Sequence, residues 1–225
     1  MKFIVDSADI GQIREAYEYL VCEGVTTNPS ILAKSGRNPY EVLKEIRAFI
    51  GKDADLHVQV ISTDYDGIMA EAEKIASVLG KNTFIKVPVT KVGLKAIKAL
   101  KAKGYGITAT AIYTSAQAYL AAQAGADFVA PYVNRIYDIG NDGVAVVEQI
   151  QNILDAGNYK TKVLAASFKN VGQVTAMAEI GAYSATVQPE VLWKLINNPT
   201  VDAAVEAFKK DFETLTAKGK TMLDV

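Results

Sequence analysis

Apolar and polar positions along the chain fall into two alternating patterns. Short runs rich in β-branched residues are followed by longer stretches of Ala, Leu, Lys and Glu in which apolar positions recur at helical spacing. The runs FIVD (3–6), GVTTN (24–28), DLHVQVI (55–61), TFIKVPV (83–89), GITATAI (106–112), FVAPYV (128–133), KVLAAS (162–167) and YSATV (183–187) predict eight strands. The intervening stretches predict helices over 7–20, 38–50, 65–79, 91–103, 114–125, 142–157, 170–181 and 189–197, and a further helix over 200–219. Gly104, Gly125, Gly157 and Gly181 follow helices, at the position where a left-handed residue commonly ends one.

Eight strands separated by helices, with no linker or low-complexity segment, predict one domain over residues 1–225. The expected fold is an α/β parallel (β/α)8 barrel of the TIM type with an additional C-terminal helix. An open doubly wound sheet is the alternative. It is weakened because no G-x-G-x-x-G follows the first strand and no P-loop occurs. A chain of 225 residues can bury one large barrel core.

Composition narrows the partner rather than the fold. The net charge is -1, with both signs interspersed and no long basic run, which argues against nucleic acid. No apolar run approaches a membrane span, and the first ten residues do not resemble a leader. The one cysteine, Cys22, permits no intrachain disulfide and fits a reducing compartment. A cytoplasmic protein with a small-molecule partner is therefore expected, with neither nucleic acid nor membrane involved. The only histidine, His57, rules out a multi-histidine metal site and is expected to be a packing residue.

One position breaks the pattern. FIKVPV (84–89) reads as a buried strand, yet Lys86 sits inside it. Lysine is almost never fully buried unless paired. Desolvation lowers its pKa, and a neutral amine is a nucleophile toward carbonyls, forming an imine that acts as an electron sink. The bland alternative is a buried ion pair, with Asp6 on the first strand as the candidate partner.

In a barrel, chemistry gathers at the C-terminal ends of the strands. Tyr132, Gln59, Thr110, Asp6 and Asn28 lie there and have the types that a Schiff-base enzyme needs for a proton shuttle, a positioned water and hydroxyl binding. Taken singly, Tyr132 is equally a rim aromatic, and Gln59 and Thr110 equally satisfy backbone groups. Ser167 and Lys169, after the seventh strand, and Arg135, after the sixth, can bind phosphate. Alternatively, Arg135 and Lys169 are solvated loop charges.

Four segments carry a resemblance: VTTNPSI (25–31), FIKVPVT (84–90), APYVNRI (130–136) and VLAASFKN (163–170). In order and spacing, over essentially the whole chain, they resemble the small transaldolase family. The resemblance implies a (β/α) barrel with the Schiff-base lysine on its fourth strand, where Lys86 falls. It also implies a ring-built homo-oligomer, a pentamer or decamer, with the last helix packed on a neighbouring subunit. From pattern alone that helix equally caps its own barrel.

The family contains transaldolases and fructose 6-phosphate aldolases. Transaldolases usually carry glutamate where this chain has Gln59, phenylalanine for Tyr132, serine for Ala130 and glycine for Asn134. All four departures are similar to the aldolase branch. The implied activity is reversible cleavage of fructose 6-phosphate to dihydroxyacetone and glyceraldehyde 3-phosphate. Lys86, Tyr132, Gln59, Thr110 and Asp6 would be catalytic; Thr26, Asn28, Ser167, Arg135, Lys169 and Asn134 would bind substrate. No metal or organic cofactor is expected, because the lysine supplies the electron sink. The alternatives are a transaldolase moving a dihydroxyacetone unit between sugar phosphates, and a sugar-phosphate-binding barrel without turnover.

Overall fold

The computed structural model describes all of residues 1–225. Eight parallel strands close a barrel in sequence order: β1 (Lys2–Asp6), β2 (Cys22–Thr26), β3 (Asp55–Gln59), β4 (Thr83–Pro88), β5 (Gly106–Ile112), β6 (Phe128–Pro131), β7 (Lys162–Ala165) and β8 (Ser184–Val187). Helices α1 (Ile10–Tyr19), α2 (Pro29–Lys34), α3 (Pro39–Ile50), α4 (Tyr65–Leu79), α5 (Lys91–Ala102), α6 (Ser115–Gln123), α7 (Val133–Asp138), α8 (Gly143–Ala156), α9 (Val171–Glu179), α10 (Pro189–Lys194) and α11 (Pro199–Leu215) follow the strands. The (β/α)8 barrel with an extra C-terminal helix is therefore as the alternation predicts. None of these helices is long and apolar enough to cross a membrane.

Alternation along each strand builds two interiors. Outward residues such as Val5, Val25, Leu56, Ile85, Val87, Val129 and Val163 join one core of 42 buried residues beneath the helices. Burying a side chain such as Ile85 contributes about 1.5–3 kcal/mol, so Ile85→Ala is expected to cost about 2–5 kcal/mol. Inward residues near the strand starts, Ile4, Phe128 and Leu164 with Phe84 against them, plug the barrel floor. Above this plug the interior turns polar, with Thr26, His57, Lys86, Thr108, Thr110 and Thr186 all buried.

His57 lies at that boundary, joined to both sides. Its ring stacks on Phe84, with centroids 4.8 Å apart, and meets the edge of Phe128 at 5.2 Å. Its Nδ1 lies 2.7 Å from Thr108 Oγ1, while Nε2 has no partner. Thr108 has no other partner for its hydroxyl hydrogen, so the tautomer with the proton on Nε2 leaves the fewest groups unsatisfied. Burial, and the positive charge of Lys86 nearby, hold its pKa well below the usual histidine value. It is a packing residue, as expected, though one nitrogen remains unsatisfied.

Strand ends depart from the expected boundaries where the chain turns into the barrel mouth. β3 stops at Gln59 and leaves Ile61 71% exposed. β6 stops at Pro131, and Val133–Asp138 forms the short helix α7 where a strand to residue 133 was expected. Val133 and Ile136 are both buried on one face of that turn, a helical spacing too short to stand out in sequence. The helix α2 is a further departure from the expected elements; its sequence signals are an Asn28 cap followed by Pro29. Gly157 is not left-handed (φ -86°); Asn158 takes that conformation at φ 50°. A Cβ on Gly157 would lie 2.3 Å from the Tyr159 ring, so the glycine serves close packing.

At the barrel mouth, Gly93 lets the first turn of α5 approach the end of the lysine strand. A Cβ there would meet the Pro88 carbonyl oxygen at 2.0 Å. The last helix, α11, buries none of its residues, and Val205, Phe208 and Leu215 are 55%, 69% and 83% exposed. It does not cap its own barrel.

Candidate active site

Lys86 projects into the barrel from the centre of β4 and is 5% exposed. Its Nζ donates to the Thr27 carbonyl at 3.0 Å and has no carboxylate within ion-pair distance. Burial pushes the Lys86 pKa down, and the nearby Asp6 carboxyl opposes this only in part. Asp6 moves the other way: burial raises its pKa, against the Lys86 charge and the Thr26 hydroxyl, whose Oγ1 donates to Oδ1 at 2.6 Å. The two groups do not approach within ion-pair distance, and burial draws the pKa of each toward its neutral form against their mutual attraction. A neutral amine facing a cavity is the chemically informative state.

That cavity has a volume of about 240 Å³ and opens at the C-terminal ends of the strands. Seven of the eleven expected site residues line it: Asp6, Asn28, Gln59, Lys86, Tyr132, Arg135 and Ser167. They arrive from β1, β3, β4 and the loops or helix starts after β2, β6 and β7. Asn28 caps α2, its Oδ1 accepting from the Ile31 N–H at 3.0 Å, which leaves the amide NH2 available to the cavity. Gln59 Oε1 is buried without a partner, an acceptor at the site that nothing in the protein satisfies.

Two more expected residues sit directly behind the lining. Thr110 is fully buried, and its Oγ1 lies 3.0 Å from the Tyr132 hydroxyl. Thr26 is a layer deeper; its hydroxyl links Asp6 to Thr186. A register shift in β5 beside β6 lies between Ala109 and Ile112 and so takes in Thr110 and Ala111, the latter at φ 57°. Such bulges re-aim side chains beside functional sites.

Arg135 and Ser167 line the same part of the cavity, their segments joined by a backbone hydrogen bond. The guanidinium lies 5.0 Å from the Tyr132 ring centroid, and the Tyr113 ring meets Tyr132 edge-on at 5.8 Å. The neighbouring Tyr113 hydroxyl is the main influence holding the Arg135 pKa above its ordinary value. Ser167 adopts φ 63°, a strained conformation of the kind that collects at ligand sites, and its carbonyl accepts from the Asn134 N–H at 2.8 Å.

The remaining two expected residues lie outside the cavity. Lys169 is exposed, and its backbone N–H is taken by Gln173 at 2.8 Å. Asn134 turns its side chain to Asp138 and Gln173. Conversely, Gln188 and Thr186 line the cavity without having been singled out as site residues. Both lie at the end of β8, where the barrel rule points, but a glutamine before a proline carries no chemical signature. A larger cleft of about 430 Å³ adjoins through Asp6 and Gln188. Its lining is largely polar and includes Ser7, Gln12, Lys34 and Arg37.

Comparison with known proteins agrees in extent with the geometry. The family model described as transaldolase/fructose-6-phosphate aldolase matches residues 3–224. A probable transaldolase of Geobacter metallireducens is 44% identical over 213 residues, covering 95% of this chain and 98% of that one. A probable fructose-6-phosphate aldolase of Streptococcus pneumoniae is also 44% identical over 213 residues, covering 94% and 96%. A probable transaldolase of Pelotomaculum thermopropionicum is 40% identical over 218 residues, covering 97% and 100%.

Proposed function

The chain belongs to the transaldolase/fructose-6-phosphate aldolase family, and from that premise we propose that it is a Schiff-base aldolase cleaving fructose 6-phosphate to dihydroxyacetone and glyceraldehyde 3-phosphate. The observation that carries this is Lys86: a buried amine without a carboxylate partner, opening onto a polar cavity at the barrel mouth.

In the proposed reaction, Arg135 and Ser167 hold the sugar phosphate, by charge and by a hydroxyl donor. Lys86 Nζ attacks C2, and the carbinolamine loses water to give an iminium ion. A base relay takes the C4 hydroxyl proton, the C3–C4 bond breaks, and its electron pair passes to the iminium, leaving an enamine. Glyceraldehyde 3-phosphate departs. Protonation at C3 and addition of water at C2 then release dihydroxyacetone and the free amine. The Tyr132 hydroxyl, backed by Thr110, and the unsatisfied Gln59 oxygen together form the relay and hold the water. Asp6 and Asn28 bind hydroxyls of the three-carbon fragment, with Thr26 holding Asp6 in place. The exposed Lys169 adds only positive potential near the mouth.

A second reading, transaldolase, is favoured by the names of two of the three relatives above. It uses the same enamine but hands it to an acceptor aldehyde. The Tyr132–Thr110 pair supports the aldolase, because two paired hydroxyls beside the lysine cavity suit the holding of a hydrolytic water. Glyceraldehyde 3-phosphate release from fructose 6-phosphate is the test. Multiple turnovers without acceptor support the aldolase. Turnover only with erythrose 4-phosphate present would replace it with the transaldolase.

We also propose a homo-oligomer in which α11 packs on a neighbouring copy; the unburied apolar stripe of Val205, Phe208 and Leu215 supports it. Light scattering of the full chain and of a chain ending at residue 198 tests this, and a monomeric full chain would contradict it. A cytoplasmic setting is part of the same proposal, supported by the unpaired Cys22.

A further inference from the structure

Arg135 has a competitor on its own helix. Asp138 stands three residues further along α7, the spacing at which opposite charges on a helix meet, yet the two form no ion pair. The Asp138 carboxylate is engaged elsewhere: Asn134 Nδ2 donates to both of its oxygens at 3.1 Å. Asn134 Oδ1 accepts from Gln173 Nε2 at 3.1 Å, and Gln173 Oε1 accepts from the Lys169 N–H at 2.8 Å.

Chemistry fixes both amides in this arrangement. The Lys169 N–H can only donate, so Gln173 must present its oxygen there and its NH2 to Asn134. Asn134 must then turn its oxygen to Gln173 and its NH2 to the carboxylate. The chain of bonds runs from α7, which carries Arg135, to the loop after β7, which carries Ser167. The backbone bond from Asn134 N–H to the Ser167 carbonyl, 2.8 Å, reinforces the same junction.

We propose that the Asn134–Gln173 amide pair is a specificity-determining positioning device: it draws Asp138 away from Arg135 and ties the guanidinium to the Ser167 loop, so that the cavity selects aldehydes ending in a phosphate dianion. This deepens the aldolase reading and rests on Arg135 as its phosphate ligand. With Asp138 turned to Asn134, no carboxylate lies within ion-pair distance of the guanidinium and the Asp138 charge reaches it only through space, while its face lies on Tyr132 and its edge beside Tyr113. Released, Asp138 would compete for the same charge, and the effect would fade with salt.

The test is aldol addition, with dihydroxyacetone as donor and glyceraldehyde 3-phosphate or glyceraldehyde as acceptor. Asn134→Asp is nearly isosteric, keeps the acceptor for Gln173, and loses both donations to Asp138. At low salt it is expected to raise KM for glyceraldehyde 3-phosphate about fivefold or more, with kcat and the glyceraldehyde kinetics unchanged. The double variant Asn134→Asp/Asp138→Asn exchanges donor and acceptor at wild-type net charge and is expected to restore KM. Gln173→Met cuts the tie at its centre and serves if the first variant folds poorly; it should show the same split between acceptors. Equal losses on both aldehydes, or no restoration by the exchange, would overturn the proposal. Arg135→Ala separates the two levels. If it leaves the preference for the phosphorylated aldehyde intact, the phosphate role of Arg135 fails and the positioning role falls with it. If it abolishes that preference while the exchange fails to restore KM, only the positioning role falls.

Discussion

Tyr132→Phe separates the two fates of the enamine. The substitution keeps the ring, its edge contact with Tyr113 and the Arg135 cation above it, and removes one oxygen. That oxygen lies 3.0 Å from Thr110 Oγ1, and Thr110 is fully buried. Loss of one neutral hydrogen bond costs about 1 kcal/mol of stability, so the fold persists. The catalytic loss is larger. A positioned proton-transfer group contributes about 10²–10⁴-fold. Thr110 and Gln59 remain to hold water, so a loss at or below the bottom of that range, about 10- to 100-fold, is expected for hydrolysis. That is roughly 1.4–2.7 kcal/mol of barrier. Imine formation occurs on the Lys86 side of the cavity and should change about threefold or less. The assay follows free dihydroxyacetone and the borohydride-trapped fraction in one time course, with and without erythrose 4-phosphate. Release should fall while the trapped fraction holds or grows, and transfer to the acceptor should fall less than release does. Parallel loss of trapping and release would refute the hydrolytic role of Tyr132.

Three further outcomes follow from the buried charges. Burial lowers the Lys86 pKa below 10.5, so between the lowered value and 10.5 the unfolded chain holds more protons than the native one, and stability rises with pH across that window. Lys86→Met should abolish turnover, raise the melting temperature at pH 7 and remove that dependence; a lower melting temperature contradicts the burial argument. Asp6 is shifted above 3.8, so above that pH the native carboxyl holds a proton that the unfolded chain has released, and stability falls as pH rises from 3.8 to the raised value. Asp6→Asn should therefore raise the melting temperature while lowering kcat, and thermal melts read beside turnover would expose a loss of both. His57 is held well below 6.5, so as pH falls below 6.5 the unfolded state takes up a proton that the native state refuses. Its share of the stability loss is up to about 1.4 kcal/mol per pH unit. His57→Phe, which preserves the stack on Phe84, should flatten the stability curve between about pH 5 and pH 6.5, and chemical denaturation at those pH values would reveal an unchanged slope.

The barrel was legible because its strands are apolar on the helix-facing side wherever they pass under a helix. Runs such as FIKVPV and KVLAAS announce themselves without tertiary knowledge. Lys86 was legible for the complementary reason: a charge in such a run must enter the barrel interior. What sequence could not supply was orientation at the strand ends. Tyr132 and Asn134 are two residues apart and would share a face in a strand, but the chain turns into α7 at Tyr132. Tyr132 consequently faces the cavity while Asn134 turns toward α9. Ser167 and Lys169 part company in the same way, because the left-handed conformation at Ser167 redirects the loop. Gln173 and Gln188 were invisible for another reason: an amide's role depends on what it meets, and only the fold brings Gln173 to Asn134 and Gln188 to the cavity.

Reduction of the protein with borohydride in the presence of fructose 6-phosphate, followed by peptide mass analysis, bears most directly on the Schiff-base chemistry. A reduced three-carbon adduct on Lys86, absent without substrate and absent in Lys86→Met, is the expected result. An unlabelled protein, or an adduct on a lysine other than Lys86, would contradict it.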